Sequence, residues 1–338
     1  MAITMKELAR MAGVSRTTVD RVLNKRGPVN ANTEERIFDL AQKMGYSPNL
    51  AAKSLSQKNK NYKIGCVINR GHNSFFDDVI TGIHAATQEL SAFSISTIIT
   101  KTTKPICVQE QLDLLDELAN EEVNAIAINP VNDSAIAEKL NTLIKKGIAV
   151  TAITADISDV DYLAFVGCNH EKAGRIAADF VGLITGGSAN VAVIEGSSKM
   201  LGHIQRVAGF KKVIKEKYPA IKNVCILENE DDDIISYSLI SKLLDERKDV
   251  DVLFFVGAGT YGGIRAVEEK GYAGKIKIAA FDLTENNRKF LLKGLISFII
   301  CQGPYEQGYK AIKLLGDWLM SGTRPASPHI YIPTGLIV

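Results

Sequence analysis

Arg16, Thr17 and Arg21 have the types and the spacing to read a nucleic-acid groove. An arginine bridges O6 and N7 of guanine, and a threonine offers its hydroxyl or its methyl group to a base edge; Arg21, one helical turn on, reaches a base or clamps a phosphate. A second set lies far along the chain and suits different chemistry. Asn73, Phe75, Phe76, Asp156, Arg206, Asp282 and Gln302 fall in segments that follow apolar strand-like runs. Carboxylates, amides and a guanidinium pair with hydroxyl groups, while an aromatic face packs on the C–H face of a sugar ring. Each residue also has a plain structural reading: Asp282 as a helix cap, Phe75 and Phe76 as core, Gln302 as a satisfied turn. Their shared placement makes them a set.

Three short helices position the first set. Thr4-Met5-Lys6-Glu7 is a capping box, and Leu8, Ala9 and Ala12 follow at helical spacing. Gly13 breaks that helix and permits a tight turn. Ser15 caps a second helix over 16–24, with Val19, Val22 and Leu23 inward and Arg16, Thr17, Asp20 and Arg21 outward. Asn32 is read as the cap of a third helix, with Ile37, Leu40, Ala41 and Met44 as its apolar stripe and Gly45 as its terminator. Helix, glycine turn and short polar-faced helix make a helix-turn-helix, whose second helix enters the major groove. Charge agrees. The first sixty residues hold eleven Lys or Arg against five Asp or Glu, a net +6; the whole chain is +2, so the remainder carries −4. A basic end on an acidic body meets a polyanion at that end. Spacing and charge alone leave a three-helix protein-interaction module as the alternative.

From Tyr62 onward, apolar runs at 64–68, 94–100, 125–128, 149–153, 191–194, 224–227, 252–256, 278–281 and 296–301 alternate with amphipathic stretches such as 77–90, 109–120, 133–146 and 172–185. Continuous apolar strands between helices predict parallel sheets covered on both faces, and about 275 residues divide better into two α/β subdomains than one. Ligands then bind beyond the carboxyl ends of the strands, in the cleft between the two. Five cysteines, widely spaced and without a CxxC pair, read as reduced packing residues. The chain shows no signal peptide and no apolar stretch of bilayer length, so a cytoplasmic protein without a membrane partner is expected. His72, His84, His170, His203 and His329 form no metal spacing; His72 and His203 are within reach of the cleft but read better as solvated or capping side chains. Gly257-Ala258-Gly259-Thr260-Tyr261-Gly262 matches GxGxxG, and Asp282 follows at a distance that spacing alone cannot dismiss as a dinucleotide fingerprint.

The run Met5-Lys6-Glu7-Leu8-Ala9-Arg10-Met11-Ala12-Gly13-Val14-Ser15-Arg16-Thr17-Thr18-Val19-Asp20-Arg21-Val22-Leu23-Asn24, with Gly45-Tyr46-Ser47-Pro48-Asn49-Leu50-Ala51-Ala52-Lys53-Ser54-Leu55, resembles the headpiece signature of the lactose-repressor (LacI/GalR) family. Asp20 departs from it, standing where many members carry Ser. The resemblance implies a hinge helix over 49–55 that wedges Leu55 into the minor groove of operator DNA. It implies DNA contacts from Thr4, Ser15, Arg16, Thr17, Thr18, Arg21, Asn24, Asn49, Ala52 and Leu55. The body resembles sugar-binding periplasmic proteins through Asn73-Ser74-Phe75-Phe76, Arg206-Val207-Ala208-Gly209-Phe210, Ala280-Phe281-Asp282 and Cys301-Gln302-Gly303-Pro304. The ribose-type Asp-Arg pair after the fourth strand is replaced by Thr154-Ala155-Asp156, and the Asn after the eighth by Gly257-Ala258-Gly259. The resemblance assigns the glycine-rich segment to a sugar cleft, so no cofactor and no metal are expected. The whole reads as an α/β protein with an all-α headpiece at 1–48, a hinge and linker at 49–60, and a periplasmic-binding-protein-like body at 61–338. Its first subdomain is expected at about 61–166 and 297–325, and its second at about 167–296 and 326–338. The expected function is a transcriptional repressor: a homodimer on a palindromic operator, controlled by a sugar or polyol between the subdomains. The alternatives are a nucleobase or partner-protein effector, or a carbohydrate or cofactor enzyme.

Overall fold

The computed structural model describes residues 4–23, 27–44, 61–71 and 73–338. The N-terminal helices are α1 (Met5–Met11), α2 (Arg16–Leu23) and α3 (Ala31–Lys43). The capping box forms as its residues dictate: Thr4 accepts from the Glu7 amide, and the Glu7 carboxylate accepts from Thr4 N–H at 2.8 Å. Gly13 turns the chain at φ +63°, and Ser15 Oγ accepts from Thr18 N–H at 3.0 Å, which starts α2. Leu8, Val19 and Ile37 are fully buried where the three helices meet. Two expectations shift at α3. Asn30, not Asn32, caps it, because the Asn30 carbonyl already accepts from Thr33 and Glu34 N–H and its side chain accepts from Asn32 N–H. Met44 falls just past the last turn and is 45% exposed, so it leaves the stripe.

The body, Asn61–Leu319 and Arg324–Val338, forms a compact unit of its own. Its first sheet uses β1 (Tyr62–Ile68), β2 (Ile95–Lys101), β3 (Ala125–Ile128), β4 (Ala149–Ile153), β5 (Ala164–Gly167) and β11 (His329–Tyr331), in the order β11-β5-β4-β3-β1-β2. Every pairing in it is parallel. The second sheet uses β6 (Ser188–Glu195), β7 (Ala220–Glu228), β8 (Val252–Phe255), β9 (Lys277–Phe281), β10 (Phe298–Cys301) and β12 (Gly335–Ile337), in the order β12-β10-β9-β8-β6-β7. It is parallel apart from β12 on β10.

Alternation along these strands explains the layers. In β8, Phe254 packs with α7 (His170–Ile184) and α8 (Leu201–Lys217), while Leu253 and Phe255 pack with α9 (Asp233–Glu246) and α10 (Thr260–Glu269). Both faces are therefore covered, the condition a parallel sheet requires. In the first sheet, Ile126 and Ile128 face α5 (Val108–Asn120) and α6 (Ser134–Lys145); α4 (Phe75–Leu90) follows β1, and α11 (Glu285–Leu292) follows β9.

The chain crosses between sheets after β5, after β10 and between β11 and β12. This corrects the expected subdomain limits. Strand β10 lies in the second sheet rather than with 297–325 in the first, and β11 lies in the first rather than with 326–338 in the second. The crossover falls at Gln302-Gly303, before α12 (Pro304–Ser321), whose Gly308 lies against the Val79 backbone of α4. Three strands escaped the sequence reading: β11 and β12 are three residues long, too short to show a period, and the four-residue β5 was not separated from its surroundings.

Helices α7 and α8 touch backbone to backbone. A Cβ on Gly174 would lie 2.0 Å from the Arg206 carbonyl oxygen, and one on Gly209 would lie 2.1 Å from that of Glu171. Neither neighbour is a flexible side chain that could move aside. Gly174→Ala should therefore force α8 off α7 and lower the unfolding free energy by about 1–3 kcal/mol, as overpacking does; a thermal unfolding midpoint equal to wild type would contradict the close contact.

Candidate functional site

A cavity with about 590 Å³ of empty space, part of it open to solvent, lies at the carboxyl ends of both sheets. That is where open α/β sheets leave strand-end backbone groups and helix N-termini facing a ligand. Phe75 and Phe76 enter it from the start of α4, edge to face with centroids 5.1 Å apart. Asn129 follows β3 and Thr154 follows β4; His170 opens α7, and His203 and Arg206 lie near the start of α8. Asp231, Gly257, Asp282 and Gln302 follow β7, β8, β9 and β10. Ile106, Thr154, Asp231 and Asp282, all lining the cavity, take φ between +56° and +67°. Backbone strain of this kind persists where the surrounding structure holds it, and it turns the side chains into the cleft.

Arg206 is the hub. It is 4% exposed, and its guanidinium carbon lies 4.0 Å over the Phe281 ring. Nη1 donates to the Val256 carbonyl at 2.6 Å, Nη2 donates to Gln302 Oε1, and Nε and Nη2 both point at His170 Nδ1 at 3.2 Å. The ring's other nitrogen, Nε2, lies 2.7 Å from the Thr154 carbonyl. A carbonyl only accepts, so Nε2 carries the proton and Nδ1 is the bare acceptor that Arg206 requires. Burial, together with Arg206, holds His170 well below its ordinary value and keeps it neutral. Gln302 passes the network on: its Nε2 donates to both Asp282 oxygens at 2.9 Å. The Cys168 thiol lies beneath, 3.2 Å from His170 Nδ1 and 3.4 Å from Gln302 Oε1.

The opposite wall is built around Gly257. A Cβ there would lie 2.4 Å from Asp231 Oδ1 and 2.9 Å from the His203 ring, so a side chain at 257 is traded for these two. Asp231 accepts from Ala258 N–H at 2.8 Å, and His203 Nδ1 accepts from Ser197 N–H at 3.1 Å, which leaves the His203 proton on Nε2. The glycine-rich turn thus spends its amide on a carboxylate, and that carboxylate occupies the approach a pyrophosphate would need. Asn129 Oδ1 is buried without a hydrogen-bond partner while its amide nitrogen donates to the Ile153 carbonyl at 3.1 Å.

Of the expected ligand set, Asn73, Phe75, Phe76, Arg206, Asp282 and Gln302 line one cavity. Asp156 does not. The chain turns sharply at Thr154, and the Asp156 carboxylate instead accepts from Tyr162 OH at 2.7 Å and from Ile157 N–H at 2.8 Å, with His329 Nε2 at 3.3 Å. The sequence reading missed His170, Asp231 and Asn129, took Asp156 rather than Thr154 from its segment, and preferred a solvated or capping His203, which is half-buried in the cavity wall. The undetected β5 hid the crossover that delivers His170.

On the N-terminal helices, Arg16, Thr17 and Arg21 are exposed on α2. Ser15 and Thr18 bond each other at 2.8 Å, and Thr4 serves the α1 cap, so these three hydroxyls already hold helix starts. Asn24, Asn49, Ala52 and Leu55, the expected hinge over 49–55 and His72 lie outside the described residues.

Burial pushes the Asp282 carboxyl up to about 6, against the opposing pull of Arg206 and Gln302. A carboxyl with a raised folded-state pKa holds its proton more firmly when folded, so its contribution favours folding at low pH and is lost as pH rises through about 6. Relative to Asp282→Asn, the wild type should lose about 2 kcal/mol of unfolding free energy between pH 4.5 and 7.5. Denaturant titrations of both proteins measure this, and parallel pH profiles would contradict it.

Residues 4–49 match the family described as bacterial regulatory proteins, lacI family, and residues 64–322 match the periplasmic binding protein domain. Catabolite control protein A of Priestia megaterium is 24% identical over 97% of both chains. The HTH-type transcriptional repressor PurR of Vibrio vulnificus is 30% identical over 67% of this chain and 64% of its own. Among solved structures, GanP, a glucose-galactose binding protein from Geobacillus stearothermophilus, superposes with a TM-score of 0.76 at 25% identity, over 82% of this chain and 98% of GanP. With a helix-turn-helix presenting Arg16, Thr17 and Arg21 and a strand-end cavity in a double-sheet body, the chain belongs to the lacI family of bacterial regulatory proteins, DNA-binding transcriptional regulators with a ligand-binding, periplasmic-binding-protein-like domain.

Proposed function

We propose that this regulator is a cytoplasmic homodimeric repressor whose affinity for a palindromic operator is set by a sugar or polyol bound in the body cavity. The observation that carries the reading is the Arg206–Gln302–Asp282 chain of hydrogen bonds facing Phe75 and Phe76 across one cavity. Fixed charged groups pair with hydroxyls, and an aromatic wall packs on ring C–H. The likeness to a protein named for binding glucose and galactose supports the same class.

The site also has the means to change conformation. Cys168 and Gln302 lie at two of the crossings between sheets and contact each other, so a ligand touching Gln302 bears on the segments about which the two halves move. A ligand that prefers one closure shifts the population toward it, and operator affinity moves with that population. Two-fold symmetry of the dimer would then match two half-sites.

A thermal-shift screen over sugars, polyols and nucleobases tests the assignment. A saccharide or polyol at about 100 times its dissociation constant should add about 2.7 kcal/mol to stability. Arg206→Met should abolish that shift while operator binding persists; stabilisation by nucleobases alone would overturn the sugar reading.

A further inference from the structure

Among the described residues, Arg206 is the one cation buried in the cavity wall, which also carries Asp231, Asp282 and, at the rim, Arg70. At first sight it invites an acid or a phosphate. Its hydrogen bonds say otherwise. A guanidinium has five N–H donors, and four point at fixed protein acceptors: His170 from Nε and Nη2, Gln302 from Nη2, and Val256 from Nη1. One N–H, on Nη1, remains. Carboxylates and phosphates are held strongly by two parallel N–H groups, and this side chain has no such pair to give. Arg70, at the rim, has its charge paired with Asp77, Nε and Nη2 both donating to Oδ1 at 3.0 and 2.9 Å, and Nη1 donates to the Gly71 carbonyl at 3.3 Å. His203 and His170 are held neutral by burial.

Of the remaining polar groups in the described wall, the charged ones are acceptors, the Asp282 carboxylate and Asp231 beyond its bond to Ala258 N–H, while the donors are neutral: Asn73 Nδ2, whose Oδ1 accepts from Phe75 N–H, and His203 Nε2. A wall with two carboxylates and one buried guanidinium suits hydroxyl groups, which donate and accept, and repels a third negative charge.

Resting on the sugar reading above, we infer that the cavity excludes sugar acids and sugar phosphates, and that Asp231 and Asp282 make it selective for uncharged, hydroxyl-rich ligands. Arg206 then serves as a wall that offers a single N–H to a ligand oxygen.

The test uses the full chain and isothermal titration calorimetry at pH 7.5. Probes come in matched sets, the free sugar or cyclitol beside its acid and its phosphate: glucose, glucuronate and glucose 6-phosphate; ribose and ribose 5-phosphate; myo-inositol and inositol 1-phosphate. In the set that binds, the neutral member should bind at least roughly tenfold more tightly than its anionic partners. Asp231→Asn, which keeps an oxygen for Ala258 N–H, should narrow that gap by roughly tenfold by strengthening the anionic partner. An acid or phosphate that binds as tightly as its neutral parent overturns the exclusion and leaves the sugar reading standing. A gap unchanged by Asp231→Asn overturns the role given to that carboxylate. Binding by no member of any set overturns the sugar reading and this inference together.

Discussion

A guanidinium can be buried only where protein acceptors replace the water its N–H groups lose, and in this body the Val256 carbonyl, Gln302 Oε1 and one neutral histidine meet that condition. Arg206 needs an acceptor at the start of α7, and His170 supplies it because its proton is held on the far nitrogen by the Thr154 carbonyl. Were His170 protonated, two buried cations would face each other; were its tautomer reversed, Nδ1–H would meet Nε–H. The positive φ of Thr154, the glycine-permitted contact of α7 with α8 and the placement of Gln302 at a crossing serve the same arrangement. Leaving a buried charge without its partner costs about 3–5 kcal/mol, which is why so much local structure converges on one side chain.

The network joins both halves of the body. Thr154 belongs to the first sheet, His170 and Arg206 to helices on the second, and Gln302 to the chain returning from the second sheet to α12. Another hydrogen bond, from Asn132 N–H to the Lys199 carbonyl at 2.9 Å, also spans the halves. A ligand that competes for Gln302 or Asp282 would therefore act on hydrogen bonds that join the two halves.

Much of this was legible in the residues. The capping box at Thr4 and the cap at Ser15 are local hydrogen-bond chemistry, so they form as written. Long apolar strands such as β1 and β6 announce themselves because a parallel sheet buries both faces. Arg206, Asp282 and Gln302 were found through segments that follow strands or match a known signature. What escaped has a common cause in tertiary context. His170 and Asp231 lie in stretches with no periodicity of their own, and their roles arise only when α8 and the Gly257 turn are brought against them. Asp156 shows the converse: a plausible residue in the right segment is turned away by a single left-handed residue two positions earlier.

The buried Arg206 network depends on the neutral, Nε2-protonated state of His170, which can be observed directly. Ring ¹⁵N chemical shifts of the full chain labelled at histidine, with His170→Gln used for assignment, distinguish the two tautomers and the cation. The ring should show Nε2–H with an unprotonated Nδ1, unchanged from pH 5.5 to 8. A ring that protonates within that range, or that carries its proton on Nδ1, would contradict it.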